Sequence, residues 1–299
     1  MKFQIRTPGS TANLGPGFDA LGLALSIYNY LDIQTQSTSG LQITVTGEGK
    51  DLLTVDDTNL FYQAAQFTAQ KLGKTLPGLI VNMQNDIPLA RGLGSSSTAI
   101  VAGVIAANHI FDQPFTQQEL LNIATEIEGH PDNVSPCLLG GLTMSTVDNT
   151  HVACVRAIPP KELQAVVAIP QFELKTSDAR KALPKDISLQ DAVFSISRAC
   201  LVTAALMSGH LDQLKIGMQD RLHQPYRAHL IPHFYEVIDA ALQAGSLGAA
   251  LSGAGPTLMA FATQNAQTIG QAMVQIWHQN NIRATYHVLN IDTDGAVIL

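Results

Sequence analysis

Apolar and polar positions along this chain follow two rhythms, and the changes between them divide it into strands and helices. Period-two alternation over residues 1–6 predicts a strand that leads straight into a turn. Runs rich in β-branched residues at 31–35, 41–46 and 79–84 predict further strands, as do 141–146 and 152–158. Between them, a helix over 59–72 stops at Gly73. The apolar run 100–111 reads as a buried helix. Thr116 with Glu119 makes a capping box ahead of Leu120, Leu121, Ile123, Ala124 and Ile127 on one face.

Pro159-Pro160 is the best domain boundary, giving segments 1–158 and 159–299. Beyond it, 165–169 predicts a fresh strand and 191–208 an apolar helix closed by Gly209. Pro232 suits a first helical turn and Gly245 the position just past a helix end. Ile269, Ala272, Met273, Ile276 and Trp277 form a helical stripe, and 283–291 returns as a strand. The second half therefore reads as an α+β layer of strands backed by helices.

Composition narrows the class. A chain of 299 residues fits two domains or one large one, and 46% hydrophobic residues supply a core. No uncharged apolar run approaches the roughly 18–20 residues of a membrane span, so no membrane partner is expected. The N-terminus lacks the pattern of a signal peptide. A net charge of −7 without a basic patch argues against nucleic acid. Cys137, Cys154 and Cys200 are isolated among apolar neighbours, as expected of reduced core residues in a cytoplasmic protein.

Residues 88–99, Pro-Leu-Ala-Arg-Gly-Leu-Gly-Ser-Ser-Ser-Thr-Ala, carry the densest candidate chemistry. Gly92 and Gly94 allow a tight turn and close approach of a ligand. The helix start after them presents unpaired N–H groups and a positive dipole end, which suits phosphate. The serine hydroxyls suit phosphate or a hydrated Mg²⁺. The loop lacks the Gly-Lys-Ser/Thr ending of a Walker A turn and the third glycine of a dinucleotide fingerprint. An ordinary strand-to-helix turn with a serine cap has the same composition, but three adjacent serines favour a ligand.

Three further segments stand out. Residues 7–19 form a glycine-rich stretch in which Asn13 and Asp19 are the strong polar groups besides the hydroxyls. Residues 251–257, Leu-Ser-Gly-Ala-Gly-Pro-Thr, either pack backbone against a ligand or make a simple bend. Glu128-Gly129-His130-Pro131-Asp132-Asn133 crowds ionisable groups onto one helix end and turn. Zinc would want further His or Cys nearby, whereas Glu128 or Asp132 suits Mg²⁺ beside a phosphate loop. Arg180 and Arg227 lie in polar, turn-like stretches where a guanidinium could take a carboxylate or phosphate.

Taken together, these segments resemble the GHMP small-molecule kinases, which include enzymes acting on galactose, homoserine, mevalonate and phosphomevalonate. The family's Pro-x-x-x-Gly-Leu-Gly-Ser-Ser pattern is matched by Pro88 to Ser96, and its C-terminal glycine motif by Ser252-Gly253-Ala254-Gly255-Pro256. The 8–19 and 128–133 blocks are similar to the branch that acts on homoserine. All four motifs occur in the family's order and span essentially the whole chain. The resemblance implies a two-domain α+β fold. Its N-terminal domain, 1–158, would bind ATP and contain a left-handed βαβ crossover. Its C-terminal domain, 159–299, would be ferredoxin-like and complete the substrate pocket.

Function follows from the same resemblance. It implies phosphorylation of L-homoserine by ATP in threonine biosynthesis, in the cytoplasm, with a homodimer as the family-based expectation. The ATP phosphates would lie on Pro88, Leu89, Ala90, Arg91, Gly92, Leu93, Gly94, Ser95, Ser96, Ser97 and Thr98. Ser96 and Glu128 would hold Mg²⁺, with Glu126 a rival two residues away. Asn13, Asp19, His130, Asn133, Thr176, Arg180, Arg227 and Gly253 would line the homoserine pocket. There Arg180 and Arg227 would clamp the carboxylate, Asp19 would meet the ammonium, and Asn133 would lie near the reacting hydroxyl. An amide takes no proton, so Asn133, Ser96 and Glu128 imply catalysis by positioning and charge. The rivals are another kinase of the family, such as a mevalonate type, and a non-catalytic sensor on the same fold. A serine hydrolase at Gly94-Ser95-Ser96 lacks the Gly-x-Ser-x-Gly elbow.

Overall fold

A computed structural model describes residues 1–299. The first half builds a sheet from β1 (Lys2–Ala12), β2 (Leu21–Gln36), β3 (Leu41–Gly47) and, after helix α1 (Leu60–Lys71), β4 (Gly78–Asn85). Helices α2 (Ser95–Ile110), α3 (Gln117–Glu128) and α4 (Pro131–Leu139) follow, and then the hairpin of β5 (Leu142–Asp148) and β6 (His151–Ala157). β3 and β4 are parallel neighbours joined through α1, so they form the βαβ unit. β1–β2 and β2–β4 pair antiparallel, and β5 joins the free end of β2.

Local sequence explains the helix limits. Asn59 accepts the N–H of Phe61 and starts α1, and Gly73 at φ +66° follows its end. Thr116 and Glu119 make the reciprocal capping box of α3. α2 is buried nearly all round because it packs against α1, α3 and α4 as well as the sheet. Its Ile100, Val101 and Val104 join Ile33, Leu79, Val81 and Phe61 in one core. Trimming Ile100 to Ala there costs about 2–5 kcal/mol.

The second half contains β7 (Gln164–Pro170), α5 (Thr176–Lys181), α6 (Leu189–Ser208), α7 (Leu214–Gly217), α8 (Gln224–Arg227) and α9 (Phe234–Gln243). β8 (Gly248–Leu251), β9 (Leu258–Ala262), α10 (Ala266–Gln279) and β10 (Ala284–Asn290) complete it. The sheet order β10-β7-β9-β8 is antiparallel throughout, the ferredoxin-like arrangement. α9 and α10 cover one face around Trp277 and Phe234. The other face shares a core with Leu14, Leu23, Leu25, Ile87 and Leu93 of the first half. This shared core fixes the two halves to each other. The chain end also crosses back, as β11 (Val297–Ile298) pairs with β1 and Ile291 bridges to Leu25.

Several expectations are corrected. β1 does not turn at Thr7 but runs through Pro8 and Gly9 to Ala12, with a register shift between those two residues that accommodates the missing proline N–H. β2 starts at Leu21, well before residue 31. Residues 21–25 are buried on both faces, so no alternation marks them as strand. The 176–181 stretch is a short helix rather than a turn. Pro232 lies outside α9. Cys200 is exposed on α6, not in the core. By length and composition α6 would also suffice to cross a membrane, with a mean hydropathy of 1.3 despite Asp191 and Arg198. In the fold it packs Ser195, Val202, Ala205 and Leu206 inward, and Asp191 pairs with Arg221 at 3.2 Å.

Candidate active site

The glycine turn, the α3–α4 junction, the 13–19 loop and the α5 and α8 helices converge on a cavity of about 440 Å³. Gly94 stands immediately before α2 at φ +71° with no capping side chain, so the first N–H groups of the helix face the cavity end unpaired. A Cβ on Gly94 would lie 2.2 Å from Ser10 Oγ and 3.2 Å from Asn133 Oδ1, so any other residue would displace the hydrogen bond between those two side chains. Gly92 is equally confined, 2.3 Å from the carbonyl of Ser252 for an added Cβ. Ser252 ties the two glycine-rich segments together by donating to Gly92 O at 2.6 Å.

Leu89, Ala90, Arg91, Gly92, Gly94, Ser95, Ser96 and Thr98 line the cavity. Pro88, Leu93 and Ser97, expected in the same loop, do not. Leu93 is fully buried in the core shared by the two halves. Ser97 is fully buried and donates to Glu128 Oε1 at 2.9 Å. Arg91 gives its guanidinium to the carbonyls of Leu89 and Gln171 and to Glu173, so it braces the loop.

α3 ends at Glu128, and Gly129 at φ +89° turns the chain into α4. The 128–133 block is thus a junction of two helices. Ser96 Oγ also donates to Glu128 Oε1 at 2.9 Å. Glu126 turns outward to Lys71 Nζ, 2.8 Å away. One carboxylate and one hydroxyl on the cavity wall are hard oxygen donors, the set a divalent cation such as Mg²⁺ takes. In the first turn of α4, buried Asp132 sits 2.5 Å from His130 Nδ1. Burial pulls the His130 pKa down, but the Asp132 carboxylate outweighs it and the net shift is upward. Asn133 Oδ1 accepts from Ser10 Oγ at 3.0 Å, which turns its NH₂ group away from Ser10.

All eight residues expected in the amino-acid pocket line this same cavity. Asn13 donates to Gly253 O at 2.9 Å and accepts the N–H of Asp19 at 3.0 Å, so one amide joins both glycine segments. Asp19 and Arg180, read as ligands for opposite ends of a substrate, bond each other instead. The pair is bidentate, with distances of 2.8 and 3.0 Å. The Asp19 bond raises the Arg180 pKa. Arg227 is nearly fully buried; burial, then repulsion from Arg180, lowers its pKa to about 10. Its Nε and Nη1 donate to the carbonyls of Ala179 and Gly253, each at 3.2 Å.

Sequence reasoning missed other parts of the wall. Leu31, Leu53, Leu60 and Met83 form an apolar section beside Asn59 and Asn85. They come from β2, α1, β4 and intervening loops, where nothing but packing distinguishes them from core residues. Phe18 was visible in its motif, but not as the ring that meets Arg180 at 5.5 Å and Arg227 at 5.0 Å.

Comparison with known proteins defines the class. Residues 59–141 match the GHMP kinases N terminal domain and residues 202–279 the GHMP kinases C terminal region. The chain is 44% identical over 292 residues to a homoserine kinase of Carboxydothermus hydrogenoformans, covering 98% of this chain and 95% of that protein. It is also 44% identical to one from Moorella thermoacetica, covering 99% of each. The crystal structure of homoserine kinase from Cytophaga hutchinsonii superposes with a TM-score of 0.91 at 32% identity, covering 100% of this chain and 97% of that one. This chain belongs to the GHMP kinase family.

Proposed function

We propose that the chain transfers the γ-phosphoryl group of ATP to the side-chain hydroxyl of L-homoserine, giving O-phospho-L-homoserine for threonine biosynthesis. One observation carries this reading. A single cavity joins a phosphate-suited helix start to an anion, Asp19, flanked by two cations, Arg180 and Arg227. An α-amino acid is a zwitterion, and its ammonium and carboxylate match that set. Mevalonate has a carboxylate but no ammonium, so it competes with Asp19 for Arg180 and offers Asp19 nothing in exchange. The homoserine kinases among the relatives support the same substrate.

In this reading ATP lays its phosphates along Gly92–Thr98 and its base against Leu31, Leu60 and Met83. Ser96 and Glu128 hold Mg²⁺, which supplies charge neutralisation at the phosphates. Asn13, His130, Thr176 and Gly253 shape the amino-acid end. Asn133, anchored by Ser10, offers N–H to the reacting hydroxyl or the phosphoryl oxygens. No side chain there needs to remove the proton early, because a loose phosphoryl transition state demands little of its nucleophile. Positioning and charge then supply the rate. The exposed apolar residues of α6, Leu189, Val193, Ile196 and Met207, support a homodimer. Three free cysteines support the reducing cytoplasm. A coupled ADP-release assay across amino and hydroxy acids tests the reading: turnover of homoserine is expected, and turnover of mevalonate without homoserine refutes it.

A further inference from the structure

We propose that His223 is a positioning residue for this reaction, fixing the Arg227 guanidinium to the loop that carries Asp19. The proposal rests on the reading of Arg227 as a ligand of the substrate carboxylate. His223 is fully buried, stands just before the single turn of α8 that ends in Arg227, and forms no part of the cavity wall. Its two ring nitrogens face opposite kinds of partner. Nε2 lies 2.7 Å from the carbonyl oxygen of Gly15, which only accepts, so Nε2 carries the proton. Nδ1 lies 3.4 Å from Arg227 Nη1, which only donates, so Nδ1 presents its lone pair. A neutral ring in the Nε2–H tautomer satisfies both at once. An imidazolium would set N–H against N–H at the arginine.

The surroundings hold that ring in place. Phe18 stacks on it with centroids 5.1 Å apart and 28° between planes, and the same phenyl ring faces Arg227. The Asp220 carboxylate is buried and accepts the backbone N–H groups of Leu222, His223 and Gln224 at 2.7–2.8 Å, and the hydroxyl of Ser195 at 3.1 Å. At 3.6 Å from Nε2 its carboxylate shapes the turn without taking the ring proton from Gly15. Arg227 Nη1 is thus fixed by His223 and Gly253, and Nε by Ala179. Nη2 alone makes no hydrogen bond within the protein, so it is the group left to meet a ligand. Without the Nδ1 acceptor the guanidinium would keep its charge and lose its aim.

Two variants separate the ring nitrogens. His223→Gln keeps a donor near the place of Nε2 and removes the acceptor facing Arg227, whereas His223→Asn keeps an acceptor near Nδ1 and gives up Gly15. His223→Gln is expected to raise the KM for homoserine about tenfold, with the KM for ATP unmoved, and His223→Asn is expected to raise it less. In an Arg227→Lys background His223→Gln should add nothing. A homoserine KM that rises in Arg227→Lys but not in His223→Gln, or an equal further rise in the double variant, overturns the proposal alone. An unaltered homoserine KM in Arg227→Lys overturns the carboxylate reading and the proposal with it. Nitrogen-15 NMR of the wild-type imidazoles tests the tautomer whether or not the variants fold. A protonated Nε2 with a bare Nδ1 is expected at pH 7, and a protonated Nδ1 contradicts the proposal.

Discussion

Replacing Arg180 by Ala tests the amino-acid pocket in two ways at once, because the guanidinium has two calls on it. In the free protein it bonds Asp19 with both terminal nitrogens, at 2.8 and 3.0 Å. Bound homoserine would bring a carboxylate to Arg180 and an ammonium to Asp19. A charged hydrogen bond contributes about 1.5–3 kcal/mol. The Asp19–Arg180 pair is more than a third exposed on both sides, so solvent screens it to about 0.2–1 kcal/mol. Removing Arg180 loses the first quantity, while freeing Asp19 from its competitor returns up to the second. The net loss is about 0.5–3 kcal/mol, a rise of roughly two- to 150-fold in KM for homoserine. The assay is steady-state ADP release against both homoserine and 3-aminopropan-1-ol, which lacks the carboxylate. Arg180→Ala should weaken homoserine and leave the amino alcohol unchanged or slightly better, since Asp19 is then free. Equal weakening of both, or unchanged homoserine kinetics, would refute the pocket assignment.

Other expectations follow from single groups. Glu128→Gln keeps an acceptor for the hydroxyls of Ser96 and Ser97 but removes the charge. It should lower kcat by about 10²–10³ and weaken the response to added Mg²⁺, and an unchanged Mg²⁺ titration would count against this site. Burial lowers the His223 pKa below its ordinary 6.5, so the unfolded chain binds a proton that the folded one refuses. The stability this group contributes is complete above about pH 6.5 and is lost as pH falls through that value toward the lower folded one. The Tm should therefore drop more between pH 7.5 and 5.5 in the wild type than in His223→Gln; parallel slopes would contradict it. Leu189, Val193, Ile196 and Met207 leave an uncharged stripe on α6, so sedimentation should show a dimer that Ile196→Asp converts to monomer. A wild-type monomer at tens of micromolar would exclude that interface.

Local chemistry was legible in the chain; distant partnership was not. The capping box at Thr116 and Glu119 and the Gly73 and Gly209 stops each depend on residues within four positions, and each is present. The glycine turn was legible for the same reason. By contrast, nothing near Asp19 reveals that Arg180, 161 residues on, takes both its oxygens. Ser10 holds Asn133 across 123 residues, and Ser252 holds Gly92 across 160. Residues 21–25 hid a strand because burial on both faces erases the period-two pattern. Leu93 looked like part of a binding loop, but a loop must also anchor itself, and this side chain is the anchor. Motif order identified the kinase family, while the structure supplied which of the motif's atoms face the cavity.

The central claim is that this cavity transfers a phosphoryl group to the side-chain oxygen of a zwitterion. Phosphorus and proton NMR of the purified chain with ATP, Mg²⁺ and L-homoserine tests it most directly. A new phosphomonoester resonance coupled to the side-chain CH₂ of homoserine, formed in step with ADP, is expected. ATP consumed with no such ester, or the ester formed only when another alcohol replaces homoserine, would contradict it.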